Sequence, residues 1–231
     1  MRRVVRTQWG PRPETYEQQA AHWSATLERV ASLLPHLRPP GSGDPWTWNR
    51  VFEGGAGPFT PTSQALITAL REEWERNGGL FLVVEGPAGW KLDLRGVAGE
   101  ASEYATNSML VTVRSPDDAR VPEAELLAAV AELWNPDLGS VIDDDVFDLL
   151  EDRAEYEIGD PVTGWLTYLS PARAALVPDD LKAVRTPLST GGVLLDIAPP
   201  DDQEAVLAAH LRLRESGALQ PLPRPMTRSM L

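Results

Sequence analysis

Cysteine is absent from this 231-residue chain, and lysine and histidine are nearly so. Without cysteine there is no disulfide framework, no thiolate metal site and no thiol nucleophile. The two lysines, Lys91 and Lys182, belong to no Walker-type loop, and the glycine-rich run Glu53-Gly54-Gly55-Ala56-Gly57 leads into a proline instead of a helix. Both facts argue against a phosphate cradle. The three histidines, His22, His36 and His210, accompany no Gly-x-Ser-x-Gly elbow and read as structural or surface residues. No stretch approaches the roughly 20 apolar residues that span a bilayer. Arg2, Arg3 and Arg6 are followed by Thr7-Gln8-Trp9-Gly10-Pro11, so no secretory h-region follows the charges. A soluble, cytoplasmic protein is the expectation.

What the chain has in excess is negative charge, a formal −13. That balance disfavours direct contact with nucleic acid or anionic membranes, whose phosphates would repel it. It leaves two readings open, a basic protein partner or acidity that only keeps the protein in solution.

Periodicity lays out the elements. Tyr16, Ala20, Trp23, Leu27, Val30 and Leu34 recur at spacings of four and three, one stripe of a helix that Pro13 starts and Pro35 ends. From Pro39 to Pro61 the chain is rich in proline and glycine, and it reads as a loop whose aromatics either cover the core or form a peptide-binding patch. Thr60 caps a second helix lined by Leu66, Leu70 and Trp74. Leu80 to Val84 and Trp90 to Arg95 form a hairpin turning at Gly86 to Gly89, and Met109 to Arg114 adds a strand, giving a sheet with one half-exposed face.

Pro122 opens a third helix, stopped at Asn135-Pro136. Gly164 to Ser170 and Val193 to Ala198 read as strands, with irregular chain and one helical turn near Pro178 to Leu181 between them. Asp201 and Glu204 start a last helix that Gly217 closes. The prediction is an α+β fold, a mixed or mainly antiparallel sheet packed with several helices, with two strand-strand-helix sub-units (1–140 and 141–219) as an option. It forms one domain over 1–219, followed by a proline-rich flexible tail over 220–231.

The most unusual stretch runs from Asp143 to Asp160, where nine carboxylates face one arginine. Val146, Phe147, Leu149 and Leu150 punctuate them at helical intervals, so the first half reads as an amphipathic helix with a carboxylate face. Asp143-Asp144-Asp145 lacks the alternating ligands and central glycine of a calcium loop, and adjacent carboxylates on a helix diverge. No metal or cofactor is expected there.

Three short motifs, Trp9-Gly10-Pro11-Arg12-Pro13-Glu14 before a long helix, Trp134-Asn135-Pro136-Asp137 after a later one, and Gly164-Trp165-Leu166-Thr167-Tyr168-Leu169-Ser170, occur in this order. In them the chain resembles the Imm52 immunity proteins of bacterial polymorphic toxin systems, from about Gln8 to about Leu219. The resemblance implies an α+β cytoplasmic antitoxin without catalysis of its own, which neutralises a cognate toxin by direct binding. The toxin it implies is a nuclease of the restriction-endonuclease-like class.

A nuclease must present a basic groove, so an acidic face would complement it. The expected toxin-facing residues are Asp143, Asp144, Asp145, Asp148, Glu151, Asp152, Glu155 and Glu157, with Trp46 or Trp48 as a buried anchor. Trp9, Trp134 and Trp165 read as framework. Two alternatives stand beside this reading: a small enzyme assembled from scattered residues such as Asp93, Glu103 and His210, and a cytoplasmic adaptor unrelated to toxins.

Overall fold

A computed structural model describes residues 1–37, 47–76, 78–116, 119–157 and 159–231, with the side chains of His36 and Ala88 left aside. Trp46 therefore lies outside the described residues. The fold is α+β, built among the described residues on one antiparallel ten-stranded sheet and six α-helices.

Five strands come from the first half of the chain: β2 (Trp48–Phe52), β3 (Gly55–Phe59), β4 (Leu80–Glu85), β5 (Lys91–Val97) and β6 (Asn107–Arg114). Four come from the second: β7 (Leu138–Ile142), β8 (Leu166–Leu169), β9 (Val184–Pro187) and β10 (Val193–Asp196). Between the two sets lies β1 (Arg2–Trp9), giving the order β3-β2-β4-β5-β6-β1-β7-β8-β10-β9. A boundary at residue 140 falls inside β7, so the sheet runs unbroken across it.

Sequence reasoning missed β1 altogether, because three arginines in the first six residues masked its alternation. Val5, Thr7 and Trp9 face one side, while Arg2, Arg6 and Gln8 face the other. The expected loop from Pro39 to Pro61 is a β2–β3 hairpin in its described part, turning at Gly54 with φ +90. Pro58 and two glycines give β3 poor strand propensity, but β3 is the sheet edge, where a proline costs no ladder bond. At the opposite edge, β9 occupies chain expected to be irregular. The turn expected near Pro178 is present, the Leu181 amide donating to the Pro178 carbonyl at 3.1 Å, and a short helix not expected from sequence precedes it, α5 (Pro171–Ala174).

One sheet face is covered by α1 (Tyr16–Leu33), α2 (Ser63–Glu75) and α3 (Glu123–Trp134). The caps explain where they start: Thr15 forms a capping box with Gln18, and the Thr62 side chain accepts from the Ala65 amide, two residues later than Thr60. Leu82, Leu94, Val111, Val5 and Val141 share a register row beneath these helices. Trp9 and Trp23 both meet the Trp134 ring, at 5.8 and 6.0 Å, and the Trp134 indole N–H donates to Thr26 Oγ1 at 2.8 Å. Each of these rings buries about 200 Å², worth on the order of 5 kcal/mol at about 25 cal/mol per Å² before entropy is charged.

The other face is covered over only half its width. There α4 (Asp144–Ala154) and α6 (Gln203–Glu215) pack together, and α6 sets Ala209 and Leu213 in a cluster with Leu138, Leu169 and Leu195. The start of α6 is fixed by Asp202, whose side chain accepts from the Ala205 amide.

The segment from Gln220 to Leu231, expected as a flexible tail, lies against the body. The Gly10 amide donates to the Ser229 carbonyl at 2.8 Å, the Met226 amide to the Glu103 carbonyl at 2.7 Å, and the Met226 side chain is buried. No helix among the described residues is long and apolar enough to cross a membrane.

Candidate protein-binding face

The acidic stretch is an amphipathic helix, as its apolar spacing predicts. Val146, Leu150 and Ala154 form the buried stripe of α4, and the Phe147 ring lies 5.8 Å from that of Tyr156. Asp143 caps the helix by accepting from the Val146 amide at 3.1 Å. Asp144 and Asp145 in the first turn and Arg153 in the last complement the macrodipole. Glu155 adopts a left-handed conformation (φ 52), and the Tyr156 amide returns to the Leu150 carbonyl, closing the C-terminus. The helix thus reaches Ala154, further than the stretch expected to be a loop from Glu151 onward.

Three arginines of β1 hold this helix. Arg3 donates to Asp143 and to Glu123, both at 2.9 Å, and its guanidinium lies over the Trp165 ring at 4.9 Å. The Trp165 indole N–H donates to the other oxygen of Glu123 at 2.6 Å. Arg2 pairs with Asp144, and Arg6 donates to the Tyr156 hydroxyl at 3.2 Å. The charges nearest the start of the chain are therefore ties between β1 and α4.

Asp143 is spent on the cap and on Arg3, with its side chain only 19 % exposed. The remaining expected acids, Asp144, Asp145, Asp148, Glu151, Asp152, Glu155 and Glu157, are exposed. Arg153, between them, pairs outward with Glu204 of α6. This arrangement can present a negative field to a partner, but it does not converge on a point. Among the described residues no three His, Asp or Glu side chains approach closely enough to hold a metal ion.

Trp48, expected as an anchor, sits in β2 with 5 % exposure and belongs to the core. Trp9, Trp134 and Trp165 are buried, consistent with framework roles. The residues of the enzymatic alternative stand apart. Asp93 is on β5, paired with Arg114 at 2.9 Å, whereas His210 is buried on α6, whose Ala209 and Leu213 pack with residues of β7, β8 and β10. Glu103 lies in the loop between β5 and β6.

Sequence reasoning did not foresee a buried ion pair that joins two of the motifs. Asp137, which ends Trp134-Asn135-Pro136-Asp137, accepts from Arg173 Nη2 at 2.7 Å and from the Ser170 hydroxyl at 3.0 Å. Ser170 is the last residue of the Gly164–Ser170 motif, and its amide also donates to the Asp137 carbonyl. Arg173 Nη1 bridges the carbonyls of Ala218 and Gln220, and the Leu231 amide donates to Asp137 Oδ1. Asp137 and Arg173 are 2 % and 1 % exposed. Two polar residues at motif ends were the available signal.

The class the geometry defines is an α+β protein on a ten-stranded antiparallel sheet, with α1–α3 on one face and α4 and α6 over part of the other. Among solved structures it is similar to the Pseudomonas aeruginosa T6SS protein PA0821, with a TM-score of 0.52 at 15% sequence identity. The match covers 94% of this chain and 72% of that one. At that identity the likeness concerns the fold. No family model matches the chain, and no curated protein matches it.

Proposed function

We propose that this protein is an immunity protein, an antitoxin that binds a cognate bacterial toxin domain through the exposed acidic face of α4. The observation that carries the reading is the array of seven exposed carboxylates, five on α4 and Glu155 and Glu157 just after it, in a segment tied to β1 through Arg2, Arg3 and Arg6. A rigid negative face speeds encounter with a basic partner and opposes entry of nucleic acid into the same groove. The toxin it fits best is a basic nuclease, and the site of action is the cytoplasm. Support also comes from the Imm52-like order of the three motifs and from the fold shared with a protein named as belonging to the T6SS.

Co-expression tests it. A toxin gene should neighbour the gene for this protein, and its C-terminal domain should be harmless when the wild-type chain is present. Combined Asp145→Lys, Asp148→Lys, Glu151→Lys and Asp152→Lys should abolish protection while the variant remains folded by circular dichroism. Full protection by the folded variant would remove the acidic face from the account.

A further inference from the structure

The half of the sheet left bare by the helices has its own composition. On the side opposite α1–α3, register places Ala56, Val51, Phe81, Arg95, Leu110 and Arg6 in one row across six strands. A second row runs Glu85, Lys91, Arg114 and Arg2. Beyond Arg6 and Arg2, which tie to α4, this floor holds three cations, Lys91, Arg95 and Arg114, against two carboxylates, Glu85 and Asp93. Arg95 is exposed and has no ion-pair partner among the described residues. In a chain of net charge −13, this is a local inversion of sign around an apolar row.

The same side of the sheet carries, over its other half, the α4–α6 layer. Its outward surface combines the α4 acids with an exposed α6 stripe of Glu204, Ala208, Leu211 and Glu215, in which Leu211 is 39 % exposed. One copy therefore presents a floor with an excess of positive charge around Phe81 and Leu110. Beside it stands a helical layer whose α4 and α6 acids outnumber its cations Arg153, Arg212 and Arg214, with Leu211 exposed on it.

We propose that this bare floor is covered by the α4–α6 layer of a second copy of the chain. A two-fold axis parallel to the strands, placed above the β1–β7 boundary, sets each copy's helical layer over the other's floor, an isologous contact that closes on itself. Five strands about 4.8 Å apart and about six residues long at about 3.4 Å give a floor of about 500 Å². With floor and layer both engaged, each copy contributes about 1,000 Å², comparable to the about 800 Å² per partner of a standard stable interface. The inference goes beyond toxin binding and is read on the protein alone. A toxin using α4 would compete with the second copy.

Light scattering coupled to size exclusion, across a dilution series, tests it. Wild type is expected at twice 25.3 kDa at low salt, dissociating on dilution and at about 1 M salt, where the screening length falls to about 3 Å. Arg95→Glu is expected to be monomeric, as is Asp148→Arg combined with Glu151→Arg. An equimolar mixture of the two variants should regain the dimer mass, because each basic surface then meets an acidic one. The proposal is overturned by a wild-type protein that stays at 25.3 kDa throughout, by a folded Arg95→Glu protein that stays dimeric, or by a mixture that does not associate. Should Arg95→Glu fail to fold, the α4 double variant alone decides, since a persisting dimer there also overturns it.

Discussion

At the scale of single residues, the buried ion pair and one histidine make the sharpest demands. Asp137 compensates Arg173 in a site closed to water, so Asp137→Ala leaves an unpaired buried guanidinium. The expected cost is about 3–5 kcal/mol, read as a lower urea midpoint, and replacing both partners by apolar residues should recover only part of it, because the Ser170 hydroxyl, the Leu231 amide and the Ala218 and Gln220 carbonyls then lose their partners. His210 is buried on α6. Desolvation first, and the nearby Arg214 second, push its pKa down from 6.5 to about 4, with Asp160 opposing. Its folded-state pKa lies below the unfolded one, so between about pH 6.5 and pH 4 the unfolded chain binds the extra proton. Stability should therefore fall as pH drops through that window, by on the order of 3 kcal/mol in total, and His210→Gln should flatten the slope there. Gly164 adds a steric constraint: a Cβ would stand 1.8 Å from the Val141 carbonyl oxygen, so Gly164→Ala must part β7 from β8.

At the scale of elements, α4 is legible from sequence because its apolar residues keep the helical period through a run of acids. Its anchorage is not, since it depends on β1, a strand 140 residues away whose arginines look like a cationic start to the chain. Asp143 joins the two, as cap and as partner of Arg3. Asp143→Ala should cost about 1 kcal/mol for the cap, and more where the tie to Arg3 also fails. Asp143→Asn, which keeps the cap but not the charge, separates the two contributions in thermal melts. The apolar–charged alternation of β5 exposes the half-bare sheet in the same way, while β2 and β3 hide behind glycine and proline tolerated at an edge. Short motifs placed Trp9, Trp134 and Trp165 in the framework, because large aromatics beside turn residues are where chain and core meet. That the motif ends converge through Asp137 and Ser170 is a long-range contact, which spacing along the chain does not encode.

At the scale of the molecule, the two sheet faces divide the labour. The α1–α3 side holds the tryptophan core, and the half-covered side sets the acids of α4 beside the Arg95 floor. The acids of α4 contribute little to the core, so reversing them should leave the melting temperature within a few degrees while changing what the protein binds. The most direct measurement is the dissociation constant, by titration calorimetry at low and at high salt, between this chain and the toxin domain that the proposed function expects its gene to neighbour. Tight binding that weakens steeply with salt is expected, with a loss of at least about tenfold when Asp145, Asp148, Glu151 and Asp152 are reversed. A folded variant with unchanged affinity, or wild-type binding indifferent to salt, would contradict it.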